Sequence, residues 1–309
     1  MEGTITTPEE LLLFELGGSN AVQETRRDDN QEVANYITAL NYGVERLKTF
    51  PLNLRFLREV HERLMSDVRG KDERPGEFRT TQNWIGTRRG DPVTEARFVP
   101  PPVDAMHDCL NRLEQFMNIE DTEDSMPLLV RLALIHYQFE SIHPFRDGNG
   151  RIGRLLVPLV LQMNGRMPTP LLYVSSHLEQ HKDEYVDLML RVSHTGDWMR
   201  WVEFFLHAIT ASAEDSIQRS TRLIGLREQY RHDLQQRGVS ARLLHAVDQL
   251  FIQPAMTIAG TAHTLGVSQP GAWNMIQKLL EQGIVQEATG RTRNKVFVAR
   301  NIIEVIDAE

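Results

Sequence analysis

Apolar residues recur every three or four positions through most of the chain, which is the spacing of amphipathic helices. At Thr7 and Glu10 a capping-box pattern, with Pro8 in the first helical position, predicts where the first helix begins. Later stretches with helical spacing are residues 33–47, 54–64, 103–117, 127–141, 176–193, 197–213 and 214–236. We therefore expect a mainly α-helical protein.

Residues 155–163 are apolar on nearly every side rather than along one face. A helix with this pattern is stable when neighbouring helices surround it. The segment is therefore predicted to be the central helix of a bundle.

Residues 69–102 interrupt the helical pattern with four glycines and five prolines. Two short extended pieces, residues 82–85 and 96–99, flank a glycine-rich turn. This arrangement predicts a surface β-hairpin, or flap, over about residues 78–102.

The last part of the chain, residues 241–309, has the pattern of a separate small domain. Three predicted helices, with a Gly-Val-Ser turn before the third, are followed by strands at residues 284–287 and 295–298. This order is typical of a winged helix-turn-helix. We expect one domain over residues 1–235 and a second over 241–309.

Composition restricts the class of protein. The 309 residues carry a formal charge of -8 and a single cysteine, Cys109, which cannot form an internal disulfide. No apolar run is long enough for a membrane span, and the first residues lack the features of a secretory signal. These features predict a soluble protein of the reducing cytoplasm. They also argue against a predominantly basic surface of the kind that binds nucleic acid.

Residues 143–154 concentrate the candidate chemistry. Gly148 and Gly150 allow the backbone to turn tightly around Asn149 just before the central helix begins, and a helix N-terminus attracts anions. Arg151 and Arg154 are three positions apart, so we expect both on one side of the first turn, where they suit a polyphosphate.

Two further side chains complete this predicted site. Asp147 is an oxygen ligand suited to Mg²⁺ beside phosphates. His143 is predicted to be largely neutral at pH 7 and able to accept a proton from an attacking hydroxyl.

The segment from His143 to Arg154 matches the Fic-domain signature His-x-Phe-x-(Asp/Glu)-Gly-Asn-Gly-Arg-x-x-Arg at every specified position. Residues 82–86 and 96–102 resemble the flap of bacterial Fic proteins, and the tail resembles the winged helix often fused to them. The resemblance implies a protein adenylyltransferase, which transfers AMP from ATP to a Ser, Thr or Tyr hydroxyl of a protein and can modify itself.

The resemblance also implies a role for each matching residue. His143 would be the general base, and Asp147 the Mg²⁺ ligand. Gly148, Asn149 and Gly150 would form the anion hole, and Arg151 and Arg154 would hold the β- and γ-phosphates. The implied nucleotide-binding residues are Asp147, Gly148, Asn149, Gly150, Arg151, Ile152, Gly153, Arg154, Tyr185, Glu95, Ala96, Arg97 and Phe98. Among these, Glu95 to Phe98 belong to the flap and would align the target hydroxyl, and relatives often have a second tyrosine where this chain has Val186.

At the N-terminus, Glu2 and Gly3 resemble the end of the inhibitory pattern (Ser/Thr)-x-x-x-Glu-(Gly/Asn), whose glutamate pairs with the second arginine of the loop. The rest of that pattern would precede Met1. We therefore expect Glu2 to be a regulatory residue that reaches Arg154 only weakly.

Other histidines are interpreted differently. His177 and His181 lie one helical turn apart but lack a third zinc ligand in sequence, so we expect them at the surface or at a pocket edge. His61 and His136 lie on apolar faces and are expected to be packed in the core.

Two alternatives remain open from sequence. The same site could remove AMP or transfer another nucleotide, or the protein could be a DNA-binding transcriptional regulator whose Fic domain senses nucleotide. Residues 241–309 hold six basic and six acidic residues, so DNA binding would need the basic wing and a homodimer that doubles its charge. Winged helices also dock proteins.

Overall fold

A computed structural model describes residues 7–16, 27–66, 74–86, 92–120, 122 and 125–308. These residues form helices α1 Pro8–Glu15, α2 Arg27–Leu47, α3 Leu54–Leu64, α4 Val103–Met117, α5 Leu128–Ile142, α6 Asn149–Met163, α7 Ser175–Gln180, α8 Lys182–Thr195, α9 Trp198–Gln236, α10 Ala241–Leu250, α11 Ile258–Leu265, α12 Gln269–Glu281 and α13 Arg300–Asp307. The strands are β1 Ala255–Thr257, β2 Gln286–Glu287 and β3 Val296–Val298. The predicted mainly helical class is confirmed. Within the described ranges, no helix is long and apolar enough to cross a membrane.

The chain divides into two compact units. The first is Gln31–Ser216, and the second is Ile217–Glu309 with the described residues of Gly3–Asn30. This division differs from the expected boundary at residues 235–241. Helix α1 also groups with the second unit instead of the first, because its Leu13 is buried in the apolar cluster that contains Val298 and Ile303.

The first unit is organised around α6, as its apolar pattern predicted. Leu155, Val157 and Val160 are completely buried, and α6 packs against α5 and α3, while α4 covers α5. This packing places the N-terminal turn of α6 at the end of a rigid apolar core.

Two helix boundaries differ from expectation. The predicted helices at 197–213 and 214–236 are one helix, α9, because no glycine or proline interrupts the chain at Ala213 or Glu214. The predicted helix at 176–193 is instead two helices, α7 and α8, which meet at His181 with φ -112° and ψ 31°.

The flap segments come together in antiparallel fashion at one pair of residues. The Ile85 N–H donates to the Phe98 carbonyl at 2.9 Å, and Phe98 donates back to Ile85 at 3.2 Å. A short 3₁₀ turn, Val93–Glu95, precedes the second segment.

The second unit has a small antiparallel sheet in the order β1-β3-β2. Strand β1 was not predicted, because its three residues lie between two helices and are too few to show alternation. Thr257 caps α11 by accepting a hydrogen bond from Gly260, and Gly266 turns the chain towards α12 with φ 61°.

Candidate active site

The loop between α5 and α6 is fixed by left-handed residues at both ends. His143 ends α5 with φ 48° and ψ 60°, and Gly148 precedes α6 with φ 77°. A side chain at 148 would also meet the Met65 sulfur at 2.8 Å. Helix α6 begins without a side-chain cap, so its first backbone N–H groups are suited to an external acceptor.

Asn149 holds the loop closed from inside. Its Oδ1 accepts from the Phe145 N–H at 2.8 Å, and its Nδ2 donates to the Phe145 carbonyl, also at 2.8 Å. Asn149 is 2% exposed. The side chain therefore shapes the loop, and only the backbone of Asn149 remains for a role in the predicted anion hole.

His61 supports the same loop from α3. Its Nδ1 accepts from the Gly76 N–H at 2.9 Å, so Nε2 carries the proton and donates to the Asp147 carbonyl at 2.9 Å. The ring also stacks on Phe145 with centroids 3.8 Å apart. Burial, the largest cause, lowers the pKa of His61 to about 4 and keeps this donor arrangement neutral.

The predicted general base has a defined tautomer. Nδ1 of His143 lies 3.3 Å from the Glu140 carbonyl, which can only accept, so the proton of the neutral ring is on Nδ1. Nε2 is then the basic nitrogen. Burial first, and the charge of Arg79 in the same direction, lower the pKa of His143 to about 4, so the ring is neutral at pH 7.

Asp147 and Arg151 interact with each other. Nη2 of Arg151 is 3.6 Å from Asp147 Oδ1, and Nη1 is 3.9 Å from a carboxylate oxygen of Glu32 on α2. Asp147 Oδ1 also accepts from the Gly148 N–H at 2.7 Å. Since its side chain is 27% exposed, Asp147 can offer oxygen to a ligand at the surface of the loop.

The two signature arginines have different surroundings. Arg151 is buried and meets two carboxylates, whereas Arg154 is half-buried. Tyr36 lies on α2. Burial raises the pKa of Tyr36, and the positive charge of Arg154 opposes that rise, so the Arg154 guanidinium also lies near α2. Arg154 is thus the more accessible cation for a phosphate.

Gly153 is required by close packing. A Cβ at this position would lie 2.0 Å from Glu140 Oε1. The carboxylate of Glu140 therefore occupies the space beside the first turn of α6, while Ile152 is buried in the core.

Tyr185, predicted to line a nucleotide pocket, is buried, and its hydroxyl makes a hydrogen bond with His136. His136 Nδ1 donates to the Gly153 carbonyl at 3.1 Å, so its Nε2 accepts from the Tyr185 hydroxyl at 3.1 Å. In this structure the Tyr185 hydroxyl holds the His136 ring in place. His136 is 1% exposed, as expected from its apolar helix face.

The predicted flap residues lie at the surface. Glu95 and Arg97 are exposed, while Ala96 and Phe98 are half-buried. Nη2 of Arg97 lies 3.3 Å from Asp187 Oδ1 on α8, which links the flap to that helix by an exposed and therefore weak ion pair.

The remaining predicted residues fall elsewhere. Glu2 lies outside the described residues. His177 and His181 stack with ring centroids 4.3 Å apart at the edge of a cleft of about 740 Å³, which His207 also lines. Among described residues, no group of three or more His, Cys, Asp or Glu side chains is arranged for a metal ion.

Sequence reasoning missed two residues that hold the loop from the flap side. Arg79 donates to the His143 carbonyl at 3.0 Å, and Asn83 donates to the same oxygen at 3.2 Å. No sequence signal marks Arg79, since an isolated arginine between Phe78 and Thr80 is expected at the surface. Asn83 was noticed only as part of the flap resemblance.

Comparisons with known proteins agree with these features. Residues 51–161 match the model of the Fic/DOC family, and residues 1–45 match the model of the Fic/DOC family N-terminal region. Over 186 residues the chain is 30% identical to the protein adenylyltransferase Fic of Culex quinquefasciatus, covering 60% of this chain and 33% of that protein. For the protein adenylyltransferase fic-1 of Caenorhabditis elegans the identity is 30%, with 52% and 27% covered. The chain thus spans about a third of the length of these relatives.

Solved structures share the fold. A Fic-domain-containing signaling protein from Bacteroides thetaiotaomicron superposes with a TM-score of 0.57 at 22% identity, covering 70% of this chain and 81% of that one. A Fic family protein from Desulfovibrio desulfuricans gives 0.52 at 20% identity, covering 94% and 86%.

Proposed function

Because this chain belongs to the Fic/DOC family, we propose that it is a protein adenylyltransferase that transfers AMP from ATP to a Ser, Thr or Tyr hydroxyl of a protein. The observation that carries this proposal is the uncapped N-terminus of α6, six residues after a neutral histidine whose Nε2 carries no proton. A phosphate acceptor and a proton acceptor are thereby combined in one loop.

The residues support an in-line transfer. As the target oxygen attacks the α-phosphorus, His143 Nε2 takes its proton; the new P–O bond forms while the bond to pyrophosphate breaks. Backbone N–H groups at the start of α6 and the guanidinium of Arg154 stabilise charge on the phosphates. Catalysis of this kind depends mostly on positioning and electrostatics.

Asp147 fits a role as a Mg²⁺ ligand. Mg²⁺ is usually held by one or two carboxylates together with substrate phosphates, and Asp147 supplies one partly exposed carboxylate beside the anion site. The ion would neutralise charge that develops on the phosphates. Arg151, which already pairs with Asp147, orients this carboxylate.

The same fold can serve other targets of transfer. The chain itself is a candidate substrate, as is an unidentified protein aligned by the flap. Removal of AMP, or transfer of another nucleotide monophosphate, would use the same anion site.

We infer a cytoplasmic setting, where ATP is available and Cys109 stays reduced.

The second unit suggests an additional binding role. Helices α10 to α12 followed by β2 and β3, with β1 pairing to β3, have the order of a winged helix-turn-helix. Arg291, Arg293 and Lys295 lie between β2 and β3, where a wing would contact phosphates. We propose DNA as a second partner of this unit, read by a homodimer, with protein docking as the alternative outcome.

Position-specific labelling tests the main proposal. The protein is incubated with ATP and Mg²⁺ in cell lysate whose own kinases have been inactivated by heat, with ³²P either at the α- or at the γ-phosphate. Label retained on protein from the α position alone supports AMP transfer. Label retained from the γ position alone indicates a kinase and overturns the proposal.

Binding of duplex DNA across a series of salt concentrations tests the second role, because phosphate contacts produce a steep salt dependence.

A further inference from the structure

Arg79 carries a charge into the interior of the first unit. Its side chain is 1% exposed and is among the largest fully buried groups. Within the described part of the chain, the hydrogen-bond acceptors of its guanidinium are backbone carbonyls. Burying a cation in this way is costly, so the contacts that it makes must repay the lost hydration.

Those contacts join three segments of the site. Nε donates to the His143 carbonyl at 3.0 Å, while the two terminal nitrogens donate to Thr81 at 3.3 Å and to Pro101. Nη2 also lies 3.5 Å from the Ile142 carbonyl, at the negative end of the α5 dipole. One guanidinium therefore connects both ends of the flap to His143, the residue predicted to be the general base.

The peptide groups around His143 are strained and held. A non-glycine residue at φ 48° is in the left-handed region, which is unfavourable for side chains with a Cβ and persists only when the surroundings impose it. Arg79 binds the His143 carbonyl through its side chain and the Pro144 carbonyl through its own N–H at 2.8 Å. Asn83 adds a bond to the His143 carbonyl and another to Phe145 at 3.1 Å.

We propose that Arg79, assisted by Asn83, is a positioning residue that fixes the His143 backbone and the base of the flap in one geometry. This inference rests on the proposed AMP transfer, in which His143 is the base and the flap aligns the target hydroxyl. Only arginine has a planar fork that can reach carbonyls in several directions at once, so lysine is not an equivalent replacement.

A matched control exists on the other end of α5. Arg131 is also 1% exposed, and its guanidinium donates to the Ile119 carbonyl at 2.6 Å and to Asn164 Oδ1 at 3.3 Å. It supports a loop away from His143. Arg79→Lys and Arg131→Lys therefore remove the same buried fork, one at the site and one outside it.

Kinetics of AMP transfer separates positioning from general stability. For Arg79→Lys we expect kcat to fall by about tenfold or more, since a displaced base loses near-attack geometry, while the ATP dissociation constant changes by less than about twofold. Arg131→Lys should retain kcat after correction for the folded fraction. If Arg79→Lys does not fold, Asn83→Ala is used, and it should lower kcat in the same way. Unchanged kcat in the folded Arg79 or Asn83 variant, or an equal loss in Arg131→Lys, overturns the inference.

A second measurement does not depend on activity. Proteins with ¹³C-labelled histidine rings give one signal per ring, and His143→Asn identifies the His143 signal. Arg79→Lys should move that signal while leaving the His136 signal in place, and Arg131→Lys should move neither. If the native protein transfers no AMP but the His143 signal moves, the positioning role stands and the proposed function fails. A His143 signal that stays in place in Arg79→Lys contradicts the positioning role.

Discussion

The side-chain amide of Asn149 binds both backbone polar groups of Phe145, its N–H and its carbonyl, each at 2.8 Å. Phe145 itself is completely buried between His61 and Phe139. The loop is therefore closed on its own residues before any ligand arrives. Such pre-organisation allows the N–H groups of α6 to bind an anion without first ordering the loop.

Asn149→Ala should weaken both the fold and ATP binding. It removes both bonds to Phe145: the carbonyl keeps the bond from Asn83, but the buried N–H loses its acceptor, which costs about 1 to 3 kcal/mol of unfolding free energy. We also expect about a tenfold loss of ATP affinity, because the anion loop is no longer fixed. Urea unfolding and calorimetry measure the two effects.

Asn118→Ala is the control for this change. Nδ2 of Asn118 donates to the carbonyls of Leu52 and Glu114 at 2.7 and 2.8 Å, outside the loop. This variant should lose stability but keep its ATP affinity. Equal ATP affinities for native protein and Asn149→Ala would show that the clamp does not prepare the anion site.

His143→Ala should abolish AMP transfer while ATP still binds. Removing a general base lowers turnover by about 10² to 10⁴-fold, and the phosphate contacts on α6 do not involve the imidazole. Since residue 143 is left-handed, His143→Asn is the better-matched variant, because asparagine tolerates this conformation. Labelling with tagged ATP measures transfer, and calorimetry measures binding. Full labelling of either variant would refute the assigned base.

Much of the helical framework could be predicted because its signals are local. The all-round apolar character of residues 155–163 depends only on the identity of those residues, and α6 is buried as that pattern requires. Thr7 and Glu10 likewise form the reciprocal capping bonds that their spacing predicted. Periodicity also located most helices to within a few residues.

Long-range contacts in the site could not be read in the same way. Arg79 meets His143 across 64 positions, and Tyr185 meets His136 across 49, so no local spacing reports either pair. Arg151 and Arg154 share a turn, yet Arg151 is buried, with Glu32 of α2 nearby, and Arg154 is only half-buried. Their different surroundings depend on how α2 packs against α6, which a single sequence does not encode in any short pattern.

Gly153→Ala should destabilise the protein, although alanine normally favours helices. The new methyl group would lie 2.0 Å from Glu140 Oε1, and Glu140 is itself buried, so the carboxylate must move within a packed interior. We expect a loss of about 1 to 3 kcal/mol in urea unfolding.

Gly225→Ala, in α9, is the matched helical glycine, because a Cβ there meets nothing within 4 Å. It should stabilise the protein by about 0.5 to 1 kcal/mol. The two substitutions are thus expected to shift the urea midpoint in opposite directions. A shift in the same direction for both would contradict the close packing of Glu140 on α6.

Stability should fall in acid partly because of His136. Burial, the largest cause, lowers the pKa of this histidine to about 4 in the folded protein, against about 6.5 when unfolded. As the pH falls below 6.5, the unfolded chain takes up a proton that the folded protein does not bind, so folding is disfavoured. The stability that depends on neutral His136 is complete above about pH 6.5 and is lost progressively as the pH falls towards about 4. The total loss of unfolding free energy is on the order of 3 kcal/mol.

The double variant His136→Phe/Tyr185→Phe tests this explanation. It keeps both rings and removes both members of the 3.1 Å hydrogen bond, so neither polar group is left buried alone. Urea unfolding between pH 7.5 and 4.5 should show a smaller loss of stability in the double variant than in the native protein. Parallel curves for the two proteins would show that His136 is not one of the groups responsible, since a ring that cannot be protonated must remove its share of the pH dependence.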